Sequence, residues 1–119
     1  AFISRDYQRS IKIGKSLTGR DDADVQSYQI LGLAYKAIAA YKDADKMYKA
    51  ALKKFPKSGV LYSEYGDMYT QYNNKHEAIN QWEKGIAADP SYSGNYYYAC
   101  KYYADNNNIF GVIFMAKYS

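Results

Sequence analysis

Few residues of this chain have side chains that could do acid–base, nucleophilic or metal chemistry. The one histidine is His76, between Lys75 and Glu77, and the one cysteine is Cys100. A lone histidine builds neither a catalytic triad nor a zinc site, and one cysteine permits no internal disulfide. We interpret His76 as an exposed surface residue and Cys100 as a buried packing residue. The sequence therefore predicts no catalytic residue, no metal and no cofactor, and a protein that is not an enzyme.

The glycines and lysines that could bind phosphate lack a fitting context. Gly14 and Gly19 belong to no glycine-rich loop between a strand and a helix. Four lysines recur at three-to-four spacing on one face of a predicted helix: Lys42, Lys46, Lys49 and Lys53. We interpret this face as solvated, and an acidic partner or an RNA backbone is the alternative. Because the 16 basic residues are spread along the chain and the net charge is only +4, we expect no nucleic acid partner.

Length and composition favour a single domain with one packed core. The chain has 119 residues, of which 48% are hydrophobic. Its longest apolar stretch, residues 109–116, is interrupted by Gly111 and is far shorter than the roughly 18 residues of a membrane span. Because the chain begins at Ala1 without a methionine and ends at Ser119 without a polar closing segment, we expect a fragment or a mature chain. Cytoplasm and bacterial periplasm both fit, the latter if a signal peptide has been removed.

A repeat of 34 residues is the strongest pattern in the sequence, and it organises the predicted elements. The landmarks of the first copy are Tyr28, Leu31, Gly32, Tyr35, Ala44, Tyr48 and Pro56. The landmarks of the second copy are Tyr62, Tyr65, Gly66, Tyr69, Ala78, Trp82 and Pro90. A fixed period of this length is the mark of a stacked array of helical hairpins.

These landmarks resemble the tetratricopeptide repeat family, whose signature is aromatic-x-x-Leu-Gly-x-x-Tyr, then Ala-x-x-x-aromatic, then Pro. The resemblance covers two complete repeats, residues 25–58 and 59–92, with a partial leading repeat over 1–24 and a degenerate one over 93–119. It implies an all-α fold, in which antiparallel helix hairpins stack into a right-handed superhelix. In such arrays the first helices line a concave groove that holds a peptide or a partner helix, and the family is not generally catalytic.

Hydrophobic spacing and turn residues predict the helices within these repeats. The expected helices cover residues 3–17, 25–38, 42–54, 59–72, 75–88 and 109–118. In the degenerate third repeat, the residues that keep the register are Tyr96, Ala99, Cys100 and Tyr103. We expect Asn106, Asn107 and Asn108 to form the turn of that repeat.

Small residues in the predicted helices are expected to permit close packing. Gly32 lies in mid-helix, where glycine costs about 1 kcal/mol relative to alanine, and we expect it to let the two helices of the hairpin approach. Ala44 is its predicted counterpart on the facing helix, and Gly66 takes the same role in the second repeat. Asn74 and Glu77 form a predicted capping box. The predicted apolar face of the first helix comprises Tyr28, Leu31, residues 33–35 and Ile38.

The resemblance also implies a binding surface between the landmarks. The expected groove residues are Gln29, Leu33 and Lys36 in the first repeat, Ser63, Asp67 and Thr70 in the second, and Tyr97, Lys101 and Ala104 in the third. A subgroup of the family grips the C-terminal carboxylate of chaperone tails with Lys and Asn at such places. Gln29, Leu33 and Glu64 stand there instead, so this ligand is disfavoured. We expect the tyrosine-rich lining to hold an extended or helical peptide.

Tyrosine is unusually frequent, with 16 residues. Half of the tyrosines fall on core positions of the repeat. Others crowd the C-terminal part beyond what the core requires: Tyr92, Tyr97, Tyr98, Tyr102 and Tyr118. One explanation is packing against a further repeat, and the other is a surface for recognition or self-association.

Two classes of function fit these observations. The leading one is a non-enzymatic protein-interaction module or scaffold, which binds a peptide or partner protein through the concave face or the tyrosine-rich C-terminal end. The alternative is a structural segment of a longer repeat protein, which forms a homo-oligomer through the C-terminal helix. An RNA-associated helical repeat is the remaining class. The identity of the partner stays open at this point.

Overall fold

Six α-helices make up the described part of the chain. The structure, a computed structural model, describes residues 2–105, with side chains from residue 6 to residue 104. The helices are α1 (Phe2–Thr18), α2 (Val25–Ala37), α3 (Tyr41–Lys54), α4 (Gly59–Gln71), α5 (Lys75–Ala88) and α6 (Ser93–Asp105). No strand occurs among these residues, so the all-α prediction is confirmed for them. The predicted turn at 106–108 and helix at 109–118 lie outside the described residues.

The helices divide into two units, residues 1–56 and residues 57–119. In the first unit, α2 packs against both α1 and α3. In the second unit, α4, α5 and α6 all pack against one another. Among the described residues, each unit therefore contains one of the two predicted hairpins, α2–α3 or α4–α5, together with one further helix. Within residues 2–105, no helix is both long enough and apolar enough to cross a membrane.

Helices α2 and α3 run antiparallel, because contacts join the start of one to the end of the other. The rings of Tyr28, near the start of α2, and Phe55, just after α3, lie 6.1 Å apart, edge to face. In mid-helix, a methyl group added at Gly32 would lie 2.8 Å from Cζ of Tyr48. Gly32 therefore permits the predicted close approach. The residue that faces Gly32 differs from the prediction. Tyr48 fills the space beside Gly32, while Ala44, the predicted counterpart, is fully buried one turn earlier in α3.

Helices α4 and α5 pack in the same way, with the indole ring of Trp82 in place of the phenol ring of Tyr48. A methyl group added at Gly66 would lie 2.7 Å from Cδ1 of Trp82. The indole Nε1–H of Trp82 donates to the backbone carbonyl of Ser63 at 3.2 Å, which satisfies the polar atom of a side chain that is 4% exposed. Gly85, near the end of α5, lies against Cβ of Tyr62 at the start of α4. This pair is therefore antiparallel as well.

The turns inside the two hairpins have the same backbone geometry. Ala39 and Asn73 are the non-glycine residues with positive φ in the described range, at 57° and 60°. In each turn the next amide donates to the carbonyl five residues back, at 2.9 Å in the first hairpin and 2.8 Å in the second. A single left-handed residue commonly closes a helix in this way. The repeat in the sequence is therefore also a repeat of local structure.

The first helix of each hairpin begins at a side-chain cap. The carboxylate of Asp24 accepts from the amide of Ser27 at 3.0 Å. The hydroxyl of Ser58, at the equivalent position of the second repeat, accepts from the amide of Leu61 at 3.4 Å. Such caps satisfy amides that have no partner inside the helix. Helices α2 and α4 therefore begin at equivalent residues for the same physical reason.

The second helices of the two hairpins begin differently. Asn74 accepts from the amide of Glu77 at 3.1 Å, which forms the first half of the predicted capping box. Glu77 does not complete the box, because its carboxylate accepts from Asn80 and Gln81 at 3.0 and 3.1 Å. Ala40, the equivalent of Asn74, makes no side-chain cap at α3. The start of α3 therefore lacks the hydrogen bond that begins α5.

Helix α6 packs against both other helices of the second unit. Asn95 is fully buried, and its Nδ2 donates to the carbonyl of Gly59 at 2.7 Å. Gly85 makes room for this side chain, since a methyl group there would lie 2.6 Å from Cγ of Asn95. The buried apolar residues of this unit include one cluster of Ala78, Ile79, Trp82, Ile86 and Ala99.

The predicted apolar face of α2 is buried in part. The residues for which the prediction is confirmed are Tyr28, Leu31, Ala34 and Tyr35. Leu33 is 64% exposed, so its assignment to the core is wrong. It follows Gly32 and so lies about 100° round the helix from the contact with α3. Ile38 is half-buried just after the end of α2.

Candidate functional site

In the first unit, the predicted groove residues lie along α2. Leu33 is exposed, and Gln29 and Lys36 are half-buried. Ile30, one turn before Leu33, is 46% exposed. Two large apolar side chains therefore face outward beside each other on this helix, and only Leu33 was predicted to do so.

In the second unit, the face of α4 that was predicted to be exposed is covered near its start. Ser63 is only 4% exposed, which contradicts its predicted outward position. It lies one turn after Gly59, whose carbonyl accepts from Asn95 of α6, so α6 covers this part of α4. Asp67 and Thr70 continue the same face and are half-buried.

A cleft opens further along, between α4 and α6 and over α5. Its lining comprises Asp67 and Thr70 of α4, Lys75 and Trp82 of α5, and Tyr98, Lys101 and Tyr102 of α6. The volume of the cavity is about 260 Å³. Three predicted groove residues, Asp67, Thr70 and Lys101, are thus brought together. We refer to this site as the α4–α6 cleft.

The floor of the α4–α6 cleft is a pair of stacked aromatic rings. Tyr98 lies over Trp82, with ring centroids 5.5 Å apart and 22° between the ring planes. Tyr97, another predicted groove residue, stands edge-on to Tyr98 at 5.4 Å and is 62% exposed. Aromatic pairs of this kind contribute about 0.5–1.5 kcal/mol beyond the area that they bury. The stack therefore holds the floor of the cleft in place.

The rim of the α4–α6 cleft is polar and has a small excess of positive charge. One carboxylate, Asp67, shares the lining with the ammonium groups of Lys75 and Lys101. The carboxylate of Asp67 accepts from Nε2 of Gln71 at 3.4 Å, and the hydroxyl of Thr70 donates to the backbone carbonyl of Asp67 at 2.6 Å. These hydrogen bonds fix the α4 side of the rim. The two lysines on the other helices make the site attractive to an anionic group.

The size and lining of the α4–α6 cleft suit one or two side chains of a partner. Pockets for drug-sized ligands typically measure about 300–1,000 Å³, and this cavity is smaller. An apolar or aromatic side chain can stack on Tyr98 while a neighbouring carboxylate reaches Lys101. Aromatic anchors in such pockets carry much of the binding energy of protein interfaces. The cleft can therefore accommodate an apolar or aromatic side chain beside an anionic group.

A second recess lies between α5 and α6 and has a volume of about 310 Å³. Its lining comprises His76, Ile79, Asn80, Glu83, Tyr102 and Tyr103. The hydroxyl of Tyr103 donates to the carboxylate of Glu83. Burial raises the pKa of Tyr103, and the hydrogen bond to Glu83 raises it further. The phenol therefore stays protonated and ties α6 to α5. His76 is exposed, as predicted.

In the described part of the chain, the side chains suited to acid–base, nucleophilic or metal chemistry do not cluster into a catalytic or metal site. Among the described residues, no three His, Cys, Asp or Glu side chains lie close enough together to hold a metal ion. Cys100 packs against the cluster between α5 and α6 but is half-buried, not fully buried as predicted. Its environment is that of a packing residue.

Sequence reasoning missed part of the α4–α6 cleft. Trp82 was predicted only as a landmark of the repeat, and Lys75 was not singled out for binding. Tyr98 and Tyr102 were among the surplus tyrosines, for which packing and recognition stayed open. The spacing of Tyr98, Lys101 and Tyr102 places them on one face of α6, and this is the signal that could have found them. Tyr118 lies outside the described residues.

Comparisons with known proteins return no match for this chain. No family model matches it, and neither a curated protein nor a solved structure does.

Proposed function

We propose that the chain is a non-enzymatic protein-interaction module built from tetratricopeptide-like repeats. The support is the recurrence, at 34 residues, of landmark residues, turns and caps in the two hairpins. In repeats of this kind, antiparallel pairs stack into a right-handed superhelix, and the first helices line the binding groove. Helices α2, α4 and α6 take the place of first helices here.

The main support for the proposed function is the α4–α6 cleft. It lies between two such first helices and combines a stacked floor, Trp82 and Tyr98, with a lysine rim. The cleft holds a short segment of a partner protein by taking an apolar or aromatic side chain onto the stack. An acidic residue next to that side chain then pairs with Lys101 or Lys75.

Self-association through the predicted C-terminal helix is the second function that the sequence suggests. The residues for which that helix is predicted, 109–118, lie outside the described residues. No observation within the described residues favours it over the binding of a partner segment.

Selection from a random-peptide library displayed against the chain tests the proposed function. We expect the selected peptides to share an aromatic or large apolar residue next to Asp or Glu. The charge reversal Lys101→Glu should weaken their binding about tenfold or more. The matched reversal Lys84→Glu, at an exposed lysine of α5 outside the cleft, should change it by less than about twofold. Peptides without a shared motif, or an equal loss in both variants, would count against the cleft.

A further inference from the structure

The positive charge of the chain is concentrated in the first unit. Residues 1–56 contain 11 Lys and Arg against 6 Asp and Glu, a net charge of +5. Residues 57–119 contain 5 Lys and Arg against 6 Asp and Glu, a net charge of −1. The prediction that the basic residues are spread along the chain is therefore wrong at the scale of the units. Such asymmetry points to an anionic partner for the basic half.

Four of these basic residues form a straight row on α3. The row comprises Lys42, Lys46, Lys49 and Lys53, all of them exposed. At 3.6 residues per turn they fall within an arc of about 60°, and at 1.5 Å per residue the row is about 16 Å long. The opposite side of α3 carries its buried residues, Ala44, Met47, Tyr48 and Ala51. We refer to these four residues as the lysine row.

The lysine row is not a requirement of the repeat. The equivalent residues of α5 are His76, Asn80, Glu83 and Ala87, none of them a lysine. Like charges at these spacings also repel one another and disfavour the helix. The row therefore has no counterpart on α5, the second helix of the next repeat.

Most of the lysine row is available to a partner. Nζ of Lys49 pairs with the carboxylate of Asp45 at 3.0 Å. Lys42, Lys46 and Lys53 form no ion pair with any residue that the structure describes. Three ammonium groups in line, with no acidic partner among the side chains described for residues 6–104, form a surface that is complementary to a row of carboxylates.

We infer that the lysine row binds an acidic segment of a partner protein, separately from the α4–α6 cleft. A helix with Asp or Glu at positions i, i+4, i+7 and i+11 matches the spacing of the row charge by charge. A nucleic acid fits less well. Among the exposed residues of α3 there is no arginine to bind phosphate in a bidentate manner and no aromatic side chain to stack on a base.

Fluorescence anisotropy with a labelled peptide tests this inference. The probe is a helix-forming peptide with glutamate at those four positions, and its counterpart has glutamine there. The variant Lys42→Gln/Lys46→Gln/Lys53→Gln removes most of the row and keeps residues that favour helix. The matched control, Lys12→Gln/Lys57→Gln/Lys84→Gln, removes the same charge from exposed lysines elsewhere.

We expect the row variant to bind the glutamate peptide roughly tenfold more weakly than the wild type and the control variant to stay within about twofold. The affinity of the wild type should also fall as salt is added. An equal loss in both variants would overturn the inference, because net charge alone would explain it. Equal binding of the glutamate and glutamine peptides, or tighter binding of single-stranded RNA, would overturn it as well. Peptides selected for the cleft should still bind the row variant, so failure of one proposal is distinguishable from failure of the other.

Discussion

At the scale of single residues, each hairpin depends on a glycine that faces an aromatic ring. Gly32 faces Tyr48, and Gly66 faces Trp82. A glycine inside a helix costs about 1 kcal/mol relative to alanine, and burial of one large apolar side chain contributes about 1.5–3 kcal/mol. The buried ring therefore more than offsets the cost of the glycine that admits it.

The variant Gly66→Ala tests this pairing. Alanine is the better helix former, yet its Cβ would lie 2.7 Å from Cδ1 of Trp82. We expect the free energy of unfolding to fall by about 1–3 kcal/mol, as measured by chemical denaturation. A stabilised variant would show that the two helices do not approach closely at this point.

A smaller side chain opposite the glycine supplies the control. In the Trp82→Leu background there is room for a methyl group, so Gly66→Ala should cost less there than in the wild type. We expect the two changes to be coupled by more than about 0.5 kcal/mol in a double-mutant cycle. Additive effects would show that Gly66 does not act through its contact with Trp82.

Two aspartates that accept hydrogen bonds at helix ends make the stability of the fold sensitive to acid. The backbone amide of Ser27 lowers the pKa of Asp24, and the hydroxyl of Ser91 lowers the pKa of Asp89. Both pKa values lie below the ordinary 3.8, so on acidification the unfolded chain binds protons first. The stability that the two ionised carboxylates contribute is fully present above about pH 5. It is lost as the pH falls through their pKa values in the folded state. We expect the Tm, followed by circular dichroism, to drop below about pH 4.

The variant Asp24→Asn separates capping from titration. Asparagine caps a helix about as well as aspartate but does not titrate, so the Tm at neutral pH should be kept while the acid-induced drop becomes shallower. Asp6→Asn, at an exposed aspartate inside α1, should leave the pH profile unchanged. If Asp24→Asn left the acid-induced drop as steep as before, Asp24 would not be one of its causes.

At the scale of the elements, the turn of the second hairpin has better residues than the turn of the first. Asn73 and Asn74 occupy the left-handed position and the cap, where the first hairpin has Ala39 and Ala40. The left-handed conformation costs alanine about 1–2 kcal/mol, whereas asparagine tolerates it. A side-chain cap contributes about 1 kcal/mol that Ala40 does not provide.

Transfer of the second turn into the first should therefore stabilise the chain. We expect Ala39→Asn/Ala40→Asn to raise the free energy of unfolding by about 1–2 kcal/mol, seen as a higher Tm. The reciprocal variant, Asn73→Ala/Asn74→Ala, should lower it by a similar amount. If the first variant were neutral or destabilising, the two turns would not share one geometry.

Helices α1 to α5 were predictable to within about two residues, because their signals are local, whereas no bounds were predicted for α6. The second helices were predicted at 42–54 and 75–88, and the structure has Tyr41–Lys54 and Lys75–Ala88. The left-handed residue in the first turn is Ala39. Glycine or asparagine at that position would have indicated this conformation, but alanine does not. The burial of Ser63 and the stacking of Tyr98 depend on where α6 crosses α4. Residue spacing shows which side chains share a helix face, but it does not show which helix covers that face.

At the scale of the whole chain, the two units carry different surfaces. The first unit has the lysine row on α3, and the second has the α4–α6 cleft. Apart from Trp82, which is a landmark, both are built from residues between the landmarks, which differ from one repeat to the other, whereas the landmarks hold the helices together. The repeat pattern could therefore predict the helices while leaving the partner open, and three of the nine expected groove residues converge on one cleft.

The claim on which the proposed function depends is that the α4–α6 cleft holds a segment of a partner protein. Trp82 is the one tryptophan of the chain, so its indole N–H signal in an NMR spectrum reports on the floor of this cleft alone. Titration with a peptide selected on the wild-type chain should shift that signal in a saturable way. The titration should need about tenfold more peptide in Lys101→Glu and should be unchanged in Lys84→Glu. A peptide that binds the chain but leaves the indole signal of Trp82 unmoved would contradict the cleft as the binding site.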